Sequence, residues 1–144
     1  MTLVRHSIDV ATAERAIAAA AQHAAAAGLR MSIAVVDDSG DLKAFRRMDG
    51  APKLSIQISQ DKAYTATSFG IPTHSWYDFI KDDPPLLHGI PHTPRLVIFG
   101  GGFPIKLEGE MVGAIGVSGG HYSQDMECAR AGLAAIGAAD GSSG

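Results

Sequence analysis

Four groups of residues in this 144-residue chain have the types that chemistry requires. Lys62 lies at the edge of an apolar stripe, Leu54, Ile58, Thr65 and Phe69, at helical spacing. A lysine placed so either lays its stem on the core with its head in water, or aims its amine into a pocket. In a pocket it could hold a carboxylate or act as acid or base. His88 and His92 have the spacing of metal ligands on a helix, but Pro91 stands between them and argues against helix. With no third ligand to place, no metal site is assigned, and the pair reads as loop histidines near a pocket. Arg46 and Arg47 close an alternating stretch in which Leu42, Ala44 and Arg46 oppose Lys43, Phe45 and Arg47. One arginine therefore shares a face with Leu42 and Ala44 and needs an anion or a route to solvent. Gly101, Gly102 and Gly119 offer free backbone amides able to stabilise an oxyanion, beside Phe103 and a strand-ending Ser118.

Other groups frame these. Trp76, Tyr77 and Phe79 crowd a short segment that reads as a lid over a pocket or a cover for a partner subunit. His23 falls on the polar flank of the first helix, either solvated or a ligand to a cofactor. Cys128 is the sole cysteine and sits inside the last helix, where packing rather than nucleophilic attack is expected. No intrachain disulfide can form, which suits the cytoplasm.

The elements that must position these groups follow from periodicity. Ser7 or Asp9 caps a helix to about Ala27, its apolar face mostly alanine. Met31–Asp37 and Leu42–Met48 form a hairpin about Asp38-Ser39-Gly40. A helix runs from about Pro52 to Phe69, with Ser55, Ser59, Ala63 and Ala66 as a second, small-residue stripe. Thr73 caps a short helix to Ile80, and Leu86–Pro94 is irregular. Arg95–Phe99, Phe103–Leu107 and Met111–Val117 are strands, and a helix capped by Ser123 runs to about Ile136. Gly113-Ala-Ile-Gly-Val-Ser-Gly-Gly120 is the most distinctive stretch: a buried strand whose glycines admit a close neighbour. It matches neither a phosphate loop nor a dinucleotide fingerprint. The expectation is an α+β fold, a five-stranded antiparallel sheet flanked by helices. Residues 1–140 would form one domain and 141–144 a disordered tail.

Several blocks together resemble the GlcG/HbpS-like heme-binding, or heme-degrading, family, which includes the C-terminal domain of PduO. They are Ser32–Asp37 with Gly40 and Arg47–Ala51; Lys62–Ala66; Gly101–Ile105 with Gly113–Gly120; and Asp125 with Ala131–Ala134. The resemblance implies a profilin-like sandwich and a homo-oligomer, from dimer to octamer. It also implies heme or a related ligand, with a histidine as iron ligand in some relatives, for which His23 is the nearest match. The residues themselves leave His23, His74, Tyr77, His88 and His92 all open as axial candidates. The segment from His88 to His92 is richer in histidine than the family's usual linker, which favours a site built for a specific substrate.

A net charge of −3 argues against nucleic acid, and no apolar run reaches membrane-spanning length. Met1–Ser7 lacks the apolar core of a secretory signal, so a cytoplasmic location is expected. The leading functional expectation is small-molecule binding of the heme-family type, in a pocket near a subunit interface. The alternative is a cofactor-free enzyme of isomerase, lyase or decarboxylase type. In it Arg46 or Arg47 would hold an anionic or aromatic substrate, and Lys62, His88 or His92 would move a proton.

Overall fold

The computed structural model describes residues 1–140, so the tail expected at 141–144 lies outside the described residues. Five helices and four strands follow the order α1 (Val10–Ala26), β1 (Ser32–Asp37), β2 (Leu42–Arg47), α2 (Lys53–Phe69), α3 (Trp76–Ile80), α4 (Pro84–Gly89), β3 (Gly102–Leu107), β4 (Glu110–Ser118) and α5 (Tyr122–Ala135). The strands pair antiparallel in the order β2-β1-β4-β3.

Alternation sorts the strand side chains onto two faces. Ile33 and Val35 of β1, Ile115 and Val117 of β4, and Phe103 and Ile105 of β3 join the core beneath α1 and α5. The alanines of α1 (Ala13, Ala16, Ala20, Ala21 and Ala24) complete that core together with Ile17. Asp9 rather than Ser7 caps α1, accepting the Thr12 N–H at 2.8 Å. On the other face, α2 lies directly on Gly116, Ala114 and Gly102.

That contact explains which stripe of α2 is buried. Ser55, Ser59, Ala63 and Ala66 face the sheet, while Leu54 and Phe69 of the large apolar stripe are 75% and 65% exposed. A Cβ at Gly116 would collide with the Ser59 carbonyl and lie 2.7 Å from the Ala63 nitrogen. Helix and sheet meet backbone to backbone, and only small residues fit between them.

Three expectations are corrected. The sheet has four strands, not five: Arg95–Phe99 is irregular. Its backbone is satisfied by a side chain instead of a ladder. Thr65 Oγ1 on α2 accepts the Val97 N–H at 3.0 Å and donates to the Arg95 carbonyl at 2.9 Å, with Arg95 at φ +69°. Leu86–Pro94 is not wholly irregular, because Asp83 and Pro84-Pro85 start α4, and a 3₁₀ turn (Ile90–His92) accommodates Pro91 after it ends. Finally, His121 caps α5 in place of Ser123. Its ring accepts the Ser123 N–H while Gln124 Oε1 accepts the His121 N–H at 3.0 Å, a reciprocal capping box.

Candidate functional site

The carboxyl end of β4 is where chemistry-bearing groups converge. Lys62 leaves α2, passes the end of the strand and meets α5 from the far side of the sheet. Its ammonium donates to Asp125 Oδ2 at 2.7 Å and to the Val117 carbonyl at 2.9 Å. Asp125 Oδ1 accepts the Gly120 N–H at 3.1 Å. Both side chains are buried, Lys62 completely. Burial pushes the Lys62 ammonium below its usual pKa and the Asp125 carboxyl above its own, and their mutual attraction opposes both shifts. Gly101 makes room: a Cβ there would stand 2.6 Å from Lys62 Nζ. The Phe99 ring centroid lies 5.0 Å from the same nitrogen.

Phe99 also lines a cavity of about 390 Å³, together with His74, Tyr77, Asp78, Ile98, Gly100 and Tyr122. Its wall is largely aromatic and comes from α3, the Ile98–Gly100 segment and the start of α5. His74 sits in the 3₁₀ turn before α3, its ring 5.5 Å from Phe103. Its Nδ1 is buried without a hydrogen-bond partner among the described residues. Burial, with the nearby Arg130 charge, holds the imidazole below the ordinary histidine pKa of 6.5, so the ring is neutral at neutral pH. The unfolded chain takes the proton first as pH falls below 6.5, so stability is lost from there downward and is fully present above. His74→Gln should flatten that limb. Denaturation midpoints at about pH 7 and about pH 5.5 should differ less in the variant than in the parent.

The other expected site residues are distributed as follows. Tyr77 lines the cavity. Trp76 is buried, its ring 5.2 Å from Phe69 and 5.9 Å from Phe79, and serves packing. Gly101 lies against the Lys62 ammonium and Gly102 against the Lys62 backbone, but the Gly102 amide is not free, since it donates to Thr73 Oγ1 at 2.9 Å. Ser118 is buried at the end of β4 opposite Ser32, and Gly119, at φ +146°, packs on the Arg30 carbonyl and Met31. Phe103 is core. Arg46 and Arg47 are both exposed. Arg46 lines a separate open groove of about 700 Å³ with Arg30, Met48 and the alanines of α1. His23, His88 and His92 are exposed and line none of these cavities. Cys128 is buried, its thiol pushed up to about 11 by burial. Among the described residues, no group of three or more His, Cys, Asp or Glu could hold a metal ion. No helix among them is long and apolar enough to cross a membrane.

Sequence reasoning named Asp125 only as part of the family-like pattern, with no partner, and passed over Phe99 and Tyr122 as site residues. The one available signal for Asp125 was an acid one helical turn before the packed Cys128 and Ala129 stripe. Its partner is 63 positions away, and only the fold joins them.

The chain is thus a small α+β protein with a ligand-sized aromatic cavity at one end of its sheet. It belongs to the HbpS-like family, described as haem-degrading protein HbpS-like, whose model matches residues 8–134. An uncharacterized 15.0 kDa protein from the dhaT-dhaS intergenic region of Citrobacter freundii is 37% identical over 129 residues, covering 88% of this chain and 90% of the relative. Protein GlcG of Escherichia coli K12 is 34% identical over 102 residues, covering 71% of this chain and 74% of GlcG. The corrinoid adenosyltransferase PduO of Salmonella typhimurium is 32% identical over 105 residues, but the match covers 31% of that protein. Among solved structures, the Klebsiella pneumoniae protein ORFY superposes with a TM-score of 0.89 at 32% identity, covering 96% of each chain. A PduOC:heme complex does so at 0.85 and 28% identity, covering 93% of this chain and 98% of the other.

Proposed function

We propose that this protein binds heme, or a flat apolar ligand of similar shape, in the aromatic cavity, with His74 as the iron ligand. The observation that carries the reading is the His74 imidazole: half-buried and neutral, in a wall of Tyr77, Phe99 and Tyr122. A neutral imidazole keeps the lone pair that iron requires, whereas a protonated one does not. Bound heme would supply an iron centre that takes a nitrogen, oxygen or sulfur ligand from the protein. Tyr77 and Tyr122 offer ring faces and phenolic oxygens on the same wall. Kinship to a protein crystallised as a heme complex supports the same reading.

The cavity is open on one side, and Phe69 and Phe79, which pack on Trp76 of α3, are largely exposed. A homo-oligomer that covers these rings and completes the cavity at a subunit boundary accompanies the proposal. Helices on both faces of the sheet support the profilin-like description, with residues 1–140 acting as one domain. The lone buried Cys128 fits a reducing compartment, and the cytoplasm is the proposed location.

Hemin titration followed by Soret absorbance tests this. The parent should show a saturable band at one heme per subunit. His74→Ala should shift the band and weaken binding at least tenfold, while His23→Ala and His88→Ala leave it unchanged. A band that never saturates, or one indifferent to His74, would sink the proposal.

The proton-transfer enzyme has one observation in its favour, the buried Lys62–Asp125 pair. His88 and His92, which that reading also invokes, stand exposed in a different segment.

A further inference from the structure

The heme reading leaves Lys62 without a role. Burying a charged pair is costly, and well-packed apolar residues would hold two helices together at least as well. An ammonium has three N–H donors. Two are used, on Asp125 and the Val117 carbonyl. The other neighbour is the ring of Phe99, its centroid 5.0 Å away. A ring face is a weaker partner for an ammonium than a charge-assisted hydrogen bond to an anion.

Phe99 is also suited to move. It is 44% exposed and belongs to a segment outside the sheet. That segment is pinned at Val97, through Thr65, and at Gly101, whose carbonyl accepts the Val117 N–H at 2.9 Å. Among the described residues, Ile98, Phe99 and Gly100 make no backbone hydrogen bond between those pins. The same three residues form one wall of the aromatic cavity. Phe99 therefore adjoins both the cavity, whose wall it helps to form, and the sequestered ammonium 5.0 Å from its ring centroid. Gly101, by lacking a side chain, keeps room around that ammonium.

We infer that Lys62 anchors a carboxylate carried by the ligand of the aromatic cavity, and that Phe99 is the lid whose place the carboxylate takes. The ligand is a flat apolar body with an acidic end group. A heme propionate and a free aromatic acid share that chemistry. The inference rests on the cavity being a ligand site, and not on the His74–iron bond.

The test compares acids with uncharged analogues: benzoate against benzyl alcohol, and hemin against its dimethyl ester. Binding is read from the amide shifts of Phe99, Gly100 and Gly120 and from titration. Because Lys62→Met alone leaves Asp125 buried and unpaired, the decisive variant is Lys62→Met with Asp125→Leu, which keeps the passage neutral and filled. In the parent, at least one acid should bind tenfold or more tightly than its analogue, and the preference should vanish in the double variant. Phe99→Ala should strengthen acid binding several-fold by removing the lid. A preference confined to hemin identifies the carboxylate as a propionate, and one confined to benzoate identifies a free acid. The inference is overturned if neither acid is preferred, or if the double variant keeps the preference. Benzoate binding that survives His74→Ala while hemin fails to bind the parent would overturn the heme reading and leave this one standing.

Discussion

Lys62→Ala is expected to destabilise the protein by about 3–5 kcal/mol, the cost of stranding one partner of a buried ion pair. Three losses combine. Asp125 keeps its charge or takes up a proton in a site that is 2% exposed. The Val117 carbonyl loses a donor. The space vacated by the lysine stem opens between α2 and the end of β4, where Gly101 has no side chain to fill it. Denaturant unfolding reads the effect as a lower midpoint at unchanged slope. Lys62→Met with Asp125→Leu should recover most of the loss, since it removes both charges and keeps the volume. Full stability in Lys62→Ala would mean that water already reaches the pair, contrary to its burial.

Gly116→Ala is expected to be strongly destabilising for the addition of a single methyl group. The new Cβ would meet the Ser59 carbonyl and, at 2.7 Å, the Ala63 nitrogen, both helix backbone. Neither can turn aside as a side-chain tip could. α2 would have to lift from the sheet, taking with it Ser55, Ser59, Ala63 and Ala66 and the Ser32–Ser55 hydrogen bond of 2.9 Å. Overpacking costs typically about 1–3 kcal/mol, and a backbone clash places this change at or above the top of that range. Displacement of α2 would also pull Lys62 from Asp125. The variant should therefore lose the ligand response of the Phe99 and Gly120 amides even where it still folds. Gly28→Ala, with no neighbour within 4 Å of the added carbon, is the contrast: its cost should be confined to the left-handed backbone at φ +72°. Equal thermal midpoints for Gly116→Ala and the parent would refute the backbone-contact account of this face.

Much of the architecture follows from local pattern. The alanine face of α1, the Asp38-Ser39-Gly40 turn and the alternation of Ile115 and Val117 with small residues are local features, and each appears in the fold as the periodicity implies. The errors have one physical origin. Arg95–Phe99 is β-like in composition, yet its amide and carbonyl are claimed by Thr65, a residue 30 positions earlier. Leu54 and Phe69 look like a core-facing stripe, yet the glycines of β3 and β4 admit only the neighbouring small-residue face of α2.

The candidate site divides in the same way. Sequence alone determined that Lys62 stood at the edge of an apolar helix stripe, that the Gly113–Gly120 strand needed a close neighbour, and to which family the whole pattern is similar. Only the tertiary structure decided what Lys62 meets, because its partners Asp125, Val117 and Phe99 come from three other segments that chain-local periodicity cannot relate. It also separated the histidines. His88 and His92, four positions apart and suggestive by spacing, are carried outward on α4 and the 3₁₀ turn after it, whereas His74, marked by nothing local, is drawn into the cavity because the 3₁₀ turn bearing it packs on Phe103. Residue type set which chemistry was available; burial and long-range contact, which depend on the whole chain, set which residues could perform it.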